Sequence, residues 1–247
     1  MNQRYRTARI APPEPRSTFS YYGGKSKVIG RYPAPLYPLI IEPFAGAAAY
    51  AWRHRQGRRV WVNDIDRTTV EIWRFLQSSG VAEELDALPL QISKGQTIDE
   101  IIPIRAHAGL EALIRSELSR GTQGRRDVPS RATAFGAYYY WPRLALKFKV
   151  VAAAIAEWRA TRRDYSQLPN QTATWFIDPP YDNEAGRRYR HCDINYEHLA
   201  EWCASRKGQV IVCENAGAKW LPFRSLVDER IGRHARKTNM GEAVWLQ

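Results

Sequence analysis

The chain has 247 residues, enough for one sizeable core or for one core with a smaller inserted module. An apolar share of 44% with 12% aromatics argues against a disordered chain, and 37 Lys and Arg against 25 Asp and Glu, a net charge of +12, suit either a polyanionic partner such as nucleic acid or a basic surface kept for solubility. Three cysteines without a CxxC spacing, no signal-like apolar segment and no run near ~18 apolar residues lead us to expect a soluble, cytoplasmic protein with no membrane partner. Five scattered histidines without an HExxH pattern give no metal site.

Residues 1–16, basic and proline-rich, are expected to be a flexible arm. LIIEPF from Leu39 reads as a buried strand, AGAAAYAWRHRQG as a helix closed by Gly57, and RVWVND ending at Asp64 as a second strand, together a βαβ unit. A helix follows Asp66, with Val70, Trp73, Phe75 and Leu76 at helical spacing before Ser78-Ser79-Gly80. Residues 81–170 break the alternation and read as a mainly helical insertion. Within it, Leu110, Leu113, Ile114 and Leu118 line one helix, and Val151, Ile155 and Trp158 line another over KVVAAAIAEWRATRR. The alternation resumes with the strand TWFID, a helix around Tyr196 to Arg206 and the strand QVIVCEN. SLVDERIG and EAVWLQ are expected to close the sheet as an antiparallel terminal hairpin. The flanking segments 17–80 and 171–247 would then make one α/β domain.

Three stretches carry chemistry. In YYGGKSK, Gly23 and Gly24 permit a close backbone approach and Lys25 supplies a cation able to hold a carboxylate, or the stretch is a turn with a solvated lysine. In IIEPFAGAAAY a strand runs through a Gly-containing turn into a helix, which aims backbone N–H groups at the carboxyl edge of a sheet; it is not a GxGxxG fingerprint. Asp64, at the end of the next strand, is placed to hold ribose hydroxyls, whereas Asp66 is better placed to cap the following helix. In DPPY, Asp178 ends a buried strand, Pro179 and Pro180 fix the backbone so that the Pro179 carbonyl points one way, and Tyr181 offers a face for stacking. Such parts suit acceptance of hydrogens from an exocyclic amine on a stacked heterocycle.

The order YYGGK, EPFAG, ND, helical insertion, DPPY resembles the Dam-type DNA adenine N6-methyltransferases over roughly residues 18–80 and 172–247. The resemblance implies a Rossmann-like class I methyltransferase sheet, mostly parallel, with the insertion as target-recognition domain. It implies S-adenosyl-L-methionine as cofactor, held by Tyr21, Gly23, Lys25, Glu42, Phe44, Gly46, Asp64 and Asp178, and a site-specific adenine methyltransferase acting through Asp178, Pro179, Pro180 and Tyr181 on a base flipped out of duplex DNA. The departure is Ala47-Ala48-Ala49 after Gly46, where the family continues with glycines, and no GATC target carries over.

Double-stranded DNA is the implied partner, with a cognate restriction endonuclease where such an enzyme serves a restriction–modification pair; a monomer or weak dimer without metal is expected. Arg125, Arg126, Arg131, Lys147, Lys149, Arg187, Arg188 and Arg190 are the candidate phosphate contacts, the last three in a basic loop expected to be mobile. Two rivals stand beside this reading. Cytosine N4 methylation uses the same amine chemistry, though Ser is commoner before Pro-Pro-Tyr there, and a catalytically inactive DNA-binding scaffold would account for the alanines after Gly46.

Overall fold

The computed structural model describes residues 14–88, 91–93, 95–102, 106–118, 125, 138–226 and 241–247. In chain order the strands are β1 (Leu39–Glu42), β2 (Arg59–Asp64), β3 (Gln91–Ser93), β4 (Tyr138–Tyr140), β5 (Arg159–Arg162), β6 (Ala173–Ile177), β7 (Gly208–Asn215), β8 (Arg224–Ser225) and β9 (Glu242–Leu246). The helices are α1 (Ala49–His54), α2 (Arg67–Leu76), α3 (Val81–Asp86), α4 (Ile98–Ile101), α5 (Ala108–Leu118), α6 (Trp141–Ile155) and α7 (Tyr196–Ala204). Seven strands form one mixed sheet in the order β5-β2-β1-β6-β7-β9-β8; the first five are parallel, and β9 runs antiparallel to both β7 and β8. β3 and β4 make a separate antiparallel pair.

The central strands read as unbroken apolar runs because both faces of the sheet are covered. Successive side chains alternate between two cores. Ile40, Phe176 and Ile211 join the residues of α1, α2, α5 and α6 on one face, and Ile41, Trp175, Ile177, Val210 and Val212 join Leu199 and Trp202 of α7 on the other. Chain order reverses between β1 and β6, so their following loops diverge and leave a crevice at the carboxyl ends of the strands. Helix α1 starts only at Ala49: the Ala48 N–H closes a turn onto the Ala45 carbonyl and Ala48 sits in the left-handed region, φ +45°, which holds Ala45–Ala48 out of the helix.

Three expectations need correction. The helix expected through Trp158 stops at Ile155, and Arg159–Arg162 is instead the outer strand of the main sheet, paired with Trp61–Asp64. Its pairing outweighs its polar composition: Arg159 lies over the Trp61 ring at 3.8 Å, and the Trp61 indole donates to Thr161 at 2.8 Å. The main sheet therefore resumes at 159, inside the expected 81–170 insertion, and α5 and α6 share the core of α2 rather than forming a core of their own. Gly109 permits this, since any side chain there would strike the Glu71 carbonyl of α2. Finally, residues 1–13 of the expected arm lie outside the described residues, but Glu14 pairs with Arg55 and the Pro15 carbonyl accepts from the Trp52 indole, so the end of the arm is tied to the α1 region. Among the described residues no helix is long and apolar enough to cross a membrane.

Candidate active site

At the crevice between β1 and β6 lies a cavity of about 450 Å³, within the range of small-molecule sites. Its wall comes from the loops after β1 (Phe44 to Ala49), β2 (Ile65, Asp66), β5 (Arg163 to Tyr165) and β6 (Asp178, Pro180), from the turn at Tyr21 to Lys25, and from a strap at Tyr189 to Asn195. The three stretches singled out in sequence therefore meet in one place, although they lie far apart along the chain.

Asp178 follows β6 at the crevice, with its side chain only 20% exposed. Burial, against the attraction of Lys25, lifts its carboxyl from the ordinary 3.8 to about 6, and Glu242 and Glu214 add to the rise. Lys25 Nζ lies 3.0 Å from Oδ1, and this buried oxygen meets no other donor among the described residues. The Lys25 side chain is 8% exposed. Burial works against its charge, and Asp178 and Glu242 outweigh that and hold Lys25 above its ordinary range. Lys25 is thus committed to carboxylates of this chain, not left open for a carboxylate of a ligand.

The loop after β1 is built around Asp64. Its Oδ2 accepts from the Gly46 N–H and its Oδ1 from the Asp66 N–H, both at 2.9 Å, and burial lifts it to about 6 while those backbone bonds oppose the rise. Gly46 has φ +46°, and a Cβ there would lie 2.7 Å from the Tyr21 ring. Glycine is therefore required at 46 by backbone and by neighbour alike. Gly23, φ +71°, plays a matching part, since a side chain on it would collide with the Tyr189 hydroxyl. Glu42, buried beneath the loop, accepts from the Ala51 N–H at 2.6 Å in the first turn of α1, and burial raises its carboxyl well above the ordinary range. Asp66 caps α2 through the Thr68 N–H at 2.9 Å, as its position suggested.

Tyr181 does not line the cavity. Its hydroxyl donates to Glu242 Oε2 at 2.8 Å and its ring lies under Lys25 Nζ at 4.6 Å, so the expected stacking platform is turned inward. The Pro180 carbonyl accepts from the Tyr196 hydroxyl at 2.7 Å, whereas the Pro179 carbonyl takes no hydrogen bond from the described residues. The basic loop after DPPY is a packed strap: Tyr189 donates to the Tyr22 carbonyl at 3.0 Å, and Arg190 holds Asp66 at 3.1 Å and Thr68 at 2.8 Å.

Of the other basic candidates, Lys147 pairs with Glu117 at 3.3 Å and Lys149 with Asp86 at 2.6 Å, so their charges are largely answered within the chain. Arg125 lies over Tyr22 at 5.3 Å and bridges to Tyr189. Arg188 lies 3.8 Å from Glu184, and Arg187 is exposed. Arg126 and Arg131 lie outside the described residues.

The sequence reading missed the far end of the cavity. Phe44 packs on Tyr165 at 5.3 Å, Tyr165 shares a 2.8 Å hydrogen bond with His198 Nδ1, and Asp164 stands beside them. Asp164 and Tyr165 sit just past β5, so recognition of that strand would have flagged them. The site as a whole is a cavity walled by the aromatic rings of Phe44 and Tyr165, the carboxylates of Glu42, Asp64 and Asp66, and the Asp178 carboxylate paired with Lys25.

In architecture, then, this is a mixed α/β protein with a mostly parallel seven-stranded sheet and a ligand-sized cavity at its switch point. No protein-family model and no curated protein matches the chain. Among solved structures it is similar to the "Putative methyltransferase yhhF from Escherichia coli", with 9% sequence identity, a TM-score of 0.36, and coverage of 85% of this chain and 76% of that one, a likeness too slight to carry activity or substrate across.

Proposed function

We propose that the chain is an S-adenosyl-L-methionine-dependent DNA methyltransferase acting on the N6 amino group of adenine. The observation that carries the reading is Asp178: a largely buried carboxylate at the switch-point cavity whose Oδ1 pairs with Lys25 and meets no further donor among the described residues, followed by Pro179, whose carbonyl takes no hydrogen bond from those residues. A carboxylate keeps lone pairs beyond its contact with Lys25, and an acceptor pair with that spare capacity suits an incoming amine.

The wall residues fit the proposed cofactor. Phe44 and Tyr165 offer aromatic faces to a purine, Asp64 stands where ribose hydroxyls would be held, and the carboxylates of Glu42 and Asp178 suit a cationic sulfonium and amine end. When bound, that cofactor supplies an electrophilic methyl group. Asp178 and the Pro179 carbonyl would accept one hydrogen bond from each amine hydrogen, favour a pyramidal nitrogen and free its lone pair to take the methyl group, with the sulfonium–methyl bond breaking to release a neutral thioether and the surplus amine proton passing through Asp178 to solvent. Positioning and electrostatics then supply most of the acceleration. Extrusion of the base costs a few kcal/mol, and the chain's basic excess would contribute through phosphate contacts, with Arg187 and Arg188 the best placed because they are exposed.

The test is Asp178→Ala with labelled cofactor on mixed-sequence duplex DNA. Transfer should be lost, while cofactor binding, followed by calorimetry, should weaken but stay measurable through the remaining wall residues. Undiminished transfer in the variant refutes the assignment.

A further inference from the structure

Glu242 does not line the cavity, yet it lies beside the Lys25–Asp178 pair that does. Glu242 opens β9 opposite Asn215 of β7. Its Oε2 accepts from the hydroxyls of both Tyr32 and Tyr181 at 2.8 Å, and its Oε1 lies 3.9 Å from Lys25 Nζ, which is itself 3.0 Å from Asp178 Oδ1. One carboxylate from the last strand thus holds the tyrosine of DPPY by its hydroxyl and shares the ammonium that faces the aspartate.

We propose that Glu242 is a positioning residue for Asp178: by anchoring Tyr181 and dividing Lys25 between two carboxylates, it keeps the Asp178 carboxylate aimed at the cavity and available as an acceptor. The assignment takes its meaning from the methyltransferase reading. A neutral acceptor would satisfy the two phenols equally well, so the negative charge of Glu242 needs a reason of its own. With Asp178 alone, Lys25 would form a closed pair with it and draw its electron density away from a substrate. With two carboxylates about one ammonium the cluster keeps a net negative charge, and Asp178 remains basic.

Among the described residues, the groups facing Asp178 are Lys25, Glu42 on β1, Glu214 on β7 and Glu242 on β9, with the phenols of Tyr32, Tyr181 and Tyr189 and the thiol of Cys213. Burial is the largest cause of the raised Asp178 titration, Lys25 opposes it, and Glu242 adds to it. Removal of the Glu242 charge should therefore lower the Asp178 midpoint.

The experiment is a carbon-13 carboxyl titration of the full chain labelled at aspartate, with the Asp178 signal assigned by its absence from Asp178→Asn. In Glu242→Gln the midpoint should fall by on the order of one pH unit, and the acid limb of methyl transfer should move down with it. An unmoved midpoint in a folded Glu242→Gln protein overturns the proposal and leaves Glu242 a structural brace. If that variant does not fold, Glu242→Asp, which withdraws the charge by one methylene, should give a smaller fall in the same direction, and no fall again overturns it. Should the wild-type chain methylate no DNA, the methyltransferase reading fails while the titration still decides the role of Glu242.

Discussion

Replacement of Asp178 by Asn should end methyl transfer and at the same time stabilise the fold at pH 8. The carboxyl is lifted from 3.8 to about 6, chiefly by burial, so the folded state holds its proton more tightly than the unfolded state does. Below about pH 4 both states are protonated and the group costs nothing; as pH rises to about 6 the penalty grows, and above that it levels off at ~3 kcal/mol. Asn keeps the shape without the charge, so at pH 8 it should recover ~1–3 kcal/mol. The opposing effect is the loss of one partner by buried Lys25, but Glu242 remains 3.9 Å away and the ammonium is not orphaned. Urea unfolding at pH 8 and pH 4 checks this: the variant should be the more stable at pH 8, with the gap closing at pH 4, while turnover drops at least ~10²-fold. A variant less stable than wild type at pH 8 would mean that Asp178 and Lys25 are a structural ion pair and not a carboxylate held at a cost for function.

Three further outcomes are expected. Because Asp178 must be ionised to accept from an amine, kcat/KM should fall about tenfold per pH unit below about 6, and a rate flat down to pH 5 contradicts that role. Gly46→Ala, which places a methyl 2.7 Å from the Tyr21 ring at φ +46°, should cost ~1–3 kcal/mol in thermal unfolding and weaken cofactor binding at least ~10-fold by calorimetry. Unchanged affinity would remove the Gly46 turn from the cofactor site. Arg187→Ala and Arg188→Ala should each reduce the slope of log affinity for DNA against log salt by ~1, whereas Lys149→Ala, whose charge is already held by Asp86, should leave the slope unchanged; equal effects would place DNA along α6.

The parts of the fold legible in sequence are those buried on both faces. LIIE, ATWFI and the core of QVIVCEN are continuous apolar runs because helices cover both sides of β1, β6 and β7. RATR could not be read in this way. It is an outer strand with exposed arginines, and its identity rests on contacts with Trp61 and Asn63 from across the chain. That one miss also hid Asp164 and Tyr165, which line the cavity because they directly follow β5, and with them His198 of α7, which hydrogen-bonds Tyr165. The cap at Asp66 was legible because capping is local. The orientation of Tyr181 was not, since its partner Glu242 lies 61 residues further on, in a strand with no motif of its own. The strap was likewise misread as a mobile loop because its anchor, Asp66, is 124 residues from Arg190.

The most direct test of the central claim is the identity of the product. Duplex DNA of mixed sequence is reacted with the protein and methyl-labelled S-adenosyl-L-methionine, then digested to nucleosides and separated. Label in N6-methyldeoxyadenosine, absent with Asp178→Asn, is the predicted result. Label in N4-methyldeoxycytidine, or no label in any nucleoside from a protein that binds the cofactor, contradicts it.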